Sequence, residues 1–414
     1  MTLNTTSRAG IAGAAALLTL VGTSSGAHAA TAPDDAASAY VASQLAADGN
    51  HLSVTFDGQT YADNGLTIDA VLGLSAAGVA GAQVSKSAAW LAANSAFYTG
   101  SSAEGYAGAT AKQIVMLQAT GGSTSALLTQ LKGFEQPSGR FSDKSEWGDY
   151  SNTVGQSWAL IALKRSGGAV STKAIDFLAA QQCSDGGFRL EFGASTCVSD
   201  PDATSMAIQA LAANGRSAAV TKAGEYLAGQ QVASGGVRGG ASTASPNTNS
   251  AGLAAVAFTL AGKPANAARA TAFVQSLQFG CSAPAALRGA IAYDKSSFDA
   301  QVAAGASAKP SDKENRATPQ AMLAFSLKPY LAITAGGSAA VPAIDCATTP
   351  TSTPTPTSTT STTASPTTTS TVSGPAVVTD GPTGSGDNLS LLVGAGAVFA
   401  SMGAGAVALG RRLR

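Results

Sequence analysis

The chain has 414 residues, with 24 Lys and Arg against 24 Asp and Glu, so its formal net charge is zero. No run rich in Lys or Arg occurs before the last four residues, which removes the electrostatic footprint of nucleic-acid binding. Two histidines, four cysteines and no Cys-x-x-Cys spacing supply no set of metal ligands, and no cofactor is implied.

The first segment reads as an export signal. Arg8 stands in a short polar start, residues 10–22 form an apolar run shorter than the ~20 residues a membrane span needs, and Ala27-His28-Ala29 has the small-x-small cleavage pattern. Residues 1–29 are therefore expected to be a signal peptide. Export places the four cysteines in an oxidising compartment, where an even number pairs by default. Of the three possible pairings the most local joins Cys183 with Cys197 and Cys281 with Cys346. The first bridge would close a loop of about 15 residues, worth on the order of 3 kcal/mol.

Between residues 30 and 346 two signals alternate. One is an apolar helical segment ending in a glutamine and glycine turn, clearest in "TKAIDFLAAQQCSDGGF" and "TKAGEYLAGQQVASGGV" and fainter at 37–49, 85–94, 127–141 and 268–280. The other is a polar cap followed by an alanine-rich helix that stops at glycine, with starts at Asn64, Ala109-Thr110, Asn152, Asp202-Ala203-Thr204, Asn247 and Ala317-Thr318. Six such pairs at a period of roughly 50 residues close most economically into an all-α toroid, with an inner ring of helices wrapped by an outer one.

Residues 347–388 are rich in Thr, Pro and Ser and lack apolar periodicity, the composition of a disordered stalk. Residues 389–410 carry no charge and are long enough for one transmembrane helix, and the basic tail 411–414 should stay cytoplasmic. The layout is similar to a cell-wall sorting signal, but Asp380-Gly381-Pro382-Thr383-Gly384 keeps only the Thr-Gly of its motif, so a retained anchor is the reading. The toroid is thus expected on the extracellular face of the membrane or in the cell wall.

The segment "KAIDFLAAQQCSDGGF" resembles the QW-type motif of the prenyltransferase and squalene-cyclase repeat families at Lys173, Ala174, Phe177, Leu178, Gln181, Gly186, Gly187 and Phe188. A fainter copy spans Lys222 to Val237, and the pattern covers roughly residues 35 to 345. The resemblance implies the terpenoid cyclase-like toroid, which also carries prenyltransferase subunits, thioester domains and cobalamin-carrier domains, so it implies a fold rather than a reaction.

Each chemistry of that fold makes its own demand. Terpene cyclases of class II protonate an alkene with the central acid of Asp-x-Asp-Asp-Thr. Here Asp200-Pro201-Asp202-Ala203-Thr204 keeps two aspartates and the threonine, while Ala203 replaces the last aspartate. By resemblance Asp202 would donate the proton beside Asp200. Read as a helix start, Asp202 or Thr204 is simply a cap, as Asn152 and Asn247 are. Gly280-Cys281-Ser282-Ala283 departs from the thioester motif, and Asp69, Glu146, Asp149, Asp200 and Asp202 show no spacing that singles out a glycosidase pair. His51, the sole histidine after the signal, lies in a polar loop as a solvated side chain.

A binding site makes fewer demands. The inner-helix starts would gather Asn64, Asn152, Thr153, Gln156, Asp200, Asp202, Thr204, Asn247 and Asn249 at one mouth of the ring, beside Trp147 and Tyr150. The sequence therefore reads as an exported, membrane-anchored and non-catalytic module whose partner is a small molecule, a glycan or a surface protein. The alternative is a terpene-cyclase-like or carbohydrate-active enzyme using Asp202 as its acid.

Overall fold

Helix α1 (Pro33–Ala47) opens the computed structural model, which describes residues 31–146 and 148–346. The expected signal peptide, stalk, anchor and basic tail, and Trp147, lie outside the described residues. A hairpin of β1 (Ser53–Phe56) and β2 (Gln59–Ala62), with Ser53 opposite Ala62, precedes α2 (Asn64–Ala77). There follow α3 (Gly81–Asn94), the single turn α4 (Ala96–Thr99), α5 (Ala107–Thr120), α6 (Ser125–Lys132), α7 (Thr153–Arg165) and α8 (Thr172–Ala179). Antiparallel β3 (Phe188–Arg189) and β4 (Ser199–Asp200) lead into α9 (Pro201–Ala213) and α10 (Ser217–Gly229). Antiparallel β5 (Val237–Arg238) and β6 (Pro246–Asn247) lead into α11 (Thr248–Leu260) and α12 (Pro264–Ser276). The last helices are α13 (Lys295–Ala304), α14 (Asp312–Ala321) and α15 (Leu323–Ser326).

Helices α2, α5, α7, α9, α11 and α14 pack side by side in that order, and α14 packs back onto α2, so the inner ring closes. The outer set is α1, α3, α6, α8, α10 and α12, which gives the six helix pairs of an all-α toroid. Small residues let the inner helices meet closely. A methyl group at Gly252 would come 2.5 Å from the Gln320 carbonyl, and one at Gly155 would come 3.3 Å from Gly108 Cα. Burial along the inner helices is continuous: Gly65 to Ala76 on α2, Ala107 to Leu117 on α5 and Pro201 to Leu211 on α9. A helix buried on every face is a core helix, and these lie between the axis and the outer ring.

The repeated glutamine and glycine turn joins one repeat to the next. Gln182 Nε2 donates to the carbonyls of Gly186 and Ala219, both at 2.9 Å, and so ties its own turn to the start of α10. Gln231 does the same to Gly235 at 2.9 Å and to Asn266, on α12, at 3.0 Å. Gln278 reaches Gly289 at 3.2 Å and Pro33 of α1 at 2.8 Å, which closes the outer ring. The tying residue is Gln182 and not the motif-aligned Gln181, whose amide bonds back to Phe177 at 2.9 Å.

Capping corrects several helix starts. Asn152 and Asn247 cap α7 and α11 as expected. At α2 the cap is Asp63, which accepts from Leu66 N, and Asn64 is the first helical residue. At α9 it is Asp200, so neither Asp202 nor Thr204 is the cap. Helix α5 begins at Ala107 without a cap of its own, and Asp143 from the next repeat accepts the Ala107 N–H at 2.7 Å. Helix α14 begins at Asp312 behind a Ser311–Glu314 capping box, ahead of the expected Ala317-Thr318 start.

Cys183 is bonded to Cys197. Cys281 and Cys346 are disulfide-bonded as well, which accounts for all four cysteines. His51 is only partly solvated: one face of its ring stacks on Trp90 with centroids 4.3 Å apart, and its side chain is 20% exposed. Among the described residues no helix is long and apolar enough to cross a membrane.

Candidate functional site

The inner helices alternate with outer ones, so all six start at the same end of the ring. Connections of eight or more residues enter four of them, and this face carries most of the expected site residues. Asp200 Oδ1 accepts the N–H groups of Asp202 at 2.9 Å and Ala203 at 2.8 Å, two of the donors that every helix start leaves open. Thr204 is occupied in the same joint: its hydroxyl donates to the Asp200 carbonyl at 2.7 Å and accepts the Phe188 N–H at 2.8 Å. Asp202, the second residue of α9, is only 6% exposed. The Ser250 side chain of α11 lies beside its carboxyl and favours the ionised form, and Asp202 Oδ1 has no hydrogen-bond partner.

Burial, and after it the neighbouring charge of Asp200, pushes the Asp202 carboxyl up to about 7; burial also raises Asp200. No cation contributes to either shift, so the cost of ionising both is offset only in part, by the Asp202 and Ala203 N–H groups at Asp200 and by Ser250 at Asp202. Two phenols feel the charge of the pair. Tyr226 is raised by burial first and then by Asp185, Asp200 and Asp202, and its hydroxyl donates to the Ser199 carbonyl at 3.2 Å. Tyr293 is raised by burial and then by Asp202 and Asp294. The chain at Gly240 covers Asp200, since a methyl group there would lie 1.9 Å from Asp200 Oδ2.

This arrangement has a pH signature. A carboxyl raised in the folded state binds more protons folded than unfolded, so its effect on stability is unfavourable and grows as pH rises from the ordinary 3.8 through about 7. Asp202→Asn cannot ionise and should melt several degrees above the wild type near pH 8, with the difference gone near pH 4. Calorimetry at the two pH values checks this, and the same offset at both would refute it.

The other expected residues divide. Asn152 and Asn247 accept the N–H groups of Gly155 at 3.0 Å and Ser250 at 2.9 Å as caps. Gln156 does not face the mouth. It is fully buried, accepts the Phe141 N–H at 2.9 Å and donates to Gly139 at 2.9 Å and Ala174 at 3.2 Å, which locks α7 to its repeat. Asn64 donates to Asn94 at 3.3 Å, away from the aspartate pair. Asn249 donates to Gln320 at 2.7 Å, between α11 and α14. Tyr150 is half exposed in the connection entering α7, where Asp149 pairs with Arg140 at 2.8 Å. The structure thus brings Asp200, Asp202 and the start of α11 together and leaves Asn64 and Gln156 elsewhere.

Asp69 lies inside the ring. Its carboxylate pairs with Lys112 at 2.8 Å and accepts from Gln320 at 3.0 Å, and Lys112 also donates to the Gly65 carbonyl at 3.1 Å. The Lys112 ammonium lies 5.9 Å from the centroid of the Trp158 ring, which in turn contacts Tyr330 at 4.3 Å between centroids. This buried charge pair was missed. Its sequence signal was present, as one lysine in "AKQIVMLQATG" and one aspartate in "LTIDAVLGL" stand at the same depth in two apolar inner helices. Among the described residues no group of three or more His, Cys, Asp or Glu could hold a metal ion.

No protein-family model matches the chain, and no curated protein matches it. Solved structures do. A protein from Actinoplanes is 13% identical over 71% of this chain and 99% of its own, with a TM-score of 0.50. The type II terpene cyclase MstE from Scytonema is 17% identical over 71% of this chain and 96% of its own, also with a TM-score of 0.50. At such identities the likeness concerns the fold, and that fold is the terpenoid cyclase-like α/α toroid.

Proposed function

We propose that the chain is an exported, C-terminally anchored ring that binds a small molecule, a glycan or a surface protein and catalyses no reaction. The observation that carries this reading is the packing of the ring's interior. A chamber for a folded substrate needs several hundred Å³ and would leave one face of each inner helix accessible. Here the faces turned to the axis are covered along with those turned outward, and the axis carries Lys112, Asp69, Trp158, Gln320 and Tyr330, each at most 3% exposed. Binding is then left to the face where the inner helices start, with Tyr150, Tyr293 and the rim at Asp200 and Asp202 proposed to meet the ligand, while Asn247, 1% exposed, stays a cap.

The export and anchor readings rest on the two hydrophobic end segments of the sequence. Native mass spectrometry of the full chain, solubilised from membranes of its own host, is expected to reveal a bound mass. Recovery from the soluble cytosolic fraction with no such mass would overturn both halves of the proposal.

A second reading follows from one observation, the buried Asp202 beside Asp200 with a carboxyl that keeps its proton near neutral pH. Such a group is suited to act as an acid. Polyprenyl substrates incubated with the protein in D2O are expected to come back unlabelled. Deuterium incorporation by the wild type and not by Asp202→Asn would replace the binding reading with the acid one.

A further inference from the structure

Beyond α15 the chain crosses the opposite opening of the ring, where the inner helices end. Leu327 turns it there with a φ of 52°, a left-handed conformation that costs a leucine roughly 1 kcal/mol. Residues 328–340 then run over the ends of α9, α7, α5 and α2. The ring grips this strap by its main chain. Arg165 Nη1 donates to the carbonyls of Tyr330 and Leu331, both at 2.6 Å, and Nη2 to Ile333 at 2.8 Å. Gln209 Oε1 accepts the Tyr330 N–H at 3.0 Å, and the Ala119 carbonyl accepts that of Ala335 at 2.7 Å. Gly78 accepts from Ser338 at 3.0 Å, and the open N–H groups at the start of α3 take the carbonyls of Ser338, Ala339 and Ala340. Two strap side chains are buried: Ile333, and Tyr330 against Trp158.

We propose that the C-terminal opening of the ring is a groove for an extended, tyrosine-anchored peptide, and that residues 328–340 are its displaceable occupant in cis. Main-chain hydrogen bonds combined with one or two side-chain pockets are the general means of holding an extended peptide. The groove also has capacity that the strap leaves unused. Gln209 Nε2 and Arg165 Nε are buried without partners at the Tyr330 backbone, and Gln209 is 97% buried, being 3% exposed. Past Ile333 the strap is held by main-chain hydrogen bonds without a buried side chain. Residues 334–340 are exposed, include Gly336 and Gly337, and leave a cavity of about 40 Å³ against Leu74, Val79 and Val84. Exposed, glycine-rich segments with few buried contacts belong to the parts of a fold that open without global unfolding. The occupant's chemistry is read from the strap: a tyrosyl anchor with an apolar residue three positions on, then small residues. This groove lies at the end of the ring opposite the aspartate pair, and its failure would leave the binding reading above intact, whereas displacement of Tyr330 would open the axis at this end.

Two measurements test it. Amide hydrogen exchange on the wild-type full chain should show Tyr330, Ala335 and Ser338 exchanging at least about tenfold faster than Leu160 and Ile208 in α7 and α9. Exchange of the strap at the rate of those core amides would overturn displacement. The full-length Tyr330→Gly variant should bind an acetylated synthetic peptide of residues 327–340 saturably, read by tryptophan fluorescence, and should not bind the same peptide carrying alanine at position 330. No saturation at millimolar peptide, or equal binding of the alanine peptide, would overturn the tyrosyl groove. If this variant fails to fold, the exchange experiment on the wild type decides.

Discussion

Replacing Asp69 by alanine is expected to destabilise the ring by about 3–5 kcal/mol, because it leaves Lys112 charged and buried with no counter-ion. Both side chains are 3% exposed in the present pairing. The pair is one link of a chain of contacts from Asn249 through Gln320 and Asp69 to Lys112, and it runs across α11, α14, α2 and α5. That path includes the place where the last repeat meets the first. The loss should therefore appear as weaker closure of the ring as well as a lower urea midpoint. Removing both charges has a different outcome. Asp69→Leu combined with Lys112→Met abolishes the uncompensated ion and is expected to fall within about 1 kcal/mol of the wild type or above it, since apolar replacement of a buried pair is often neutral or stabilising. Equilibrium urea unfolding of the wild type and the two variants checks both statements. A loss below about 1 kcal/mol for Asp69→Ala would mean that water reaches Lys112 and that the axis is not dry.

Gly289→Ala should cost about 2–4 kcal/mol, and Gly121→Ala only about 1 kcal/mol, although both glycines have left-handed backbones, with φ of 85° and 76°. The difference lies in what a methyl group would meet. At Gly121 nothing lies within 4 Å, so the cost is that of placing a chiral residue in this conformation. At Gly289 the methyl would come 1.9 Å from the Ala36 carbonyl of α1, and the first and last repeats would have to separate. Gly235 makes the same approach to Arg269, with 2.3 Å to its carbonyl, and Gly235→Ala should fall with Gly289→Ala. Thermal unfolding of the three variants ranks them, and equal losses at Gly121 and Gly289 would show that backbone strain alone sets the cost.

Those glycines show what local pattern carries. The two turns "SDGGF" and "ASGGV" were legible because a left-handed glycine, an adjacent glutamine and a buried apolar residue recur within a few positions of one another. The same holds for the caps Asn152 and Asn247 and for the bond between Cys183 and Cys197, 14 positions apart. At α9 locality failed. Asp200, Asp202 and Thr204 are all competent to cap, and the choice falls to Asp200 because Thr204 is held by the Phe188 N–H of the preceding turn. Helix α5 takes its cap from Asp143, 36 positions away, which no window around Ala107 contains.

The sequence by itself determined the alternation of outer and inner helices, their number, and the end of the ring at which the aspartate pair stands. Each of these follows from periodicity, capping and turn chemistry, which act over one or two helical turns. Only the tertiary structure decided that Gln156 is a buried joint, that Gln278 reaches back to Pro33, that Asp69 and Lys112 meet at the axis, and that Tyr330 and the strap fill the far opening. Those outcomes depend on which helices become neighbours when the ring closes. Asp69 and Gln320, 251 positions apart, are brought together by that closure alone.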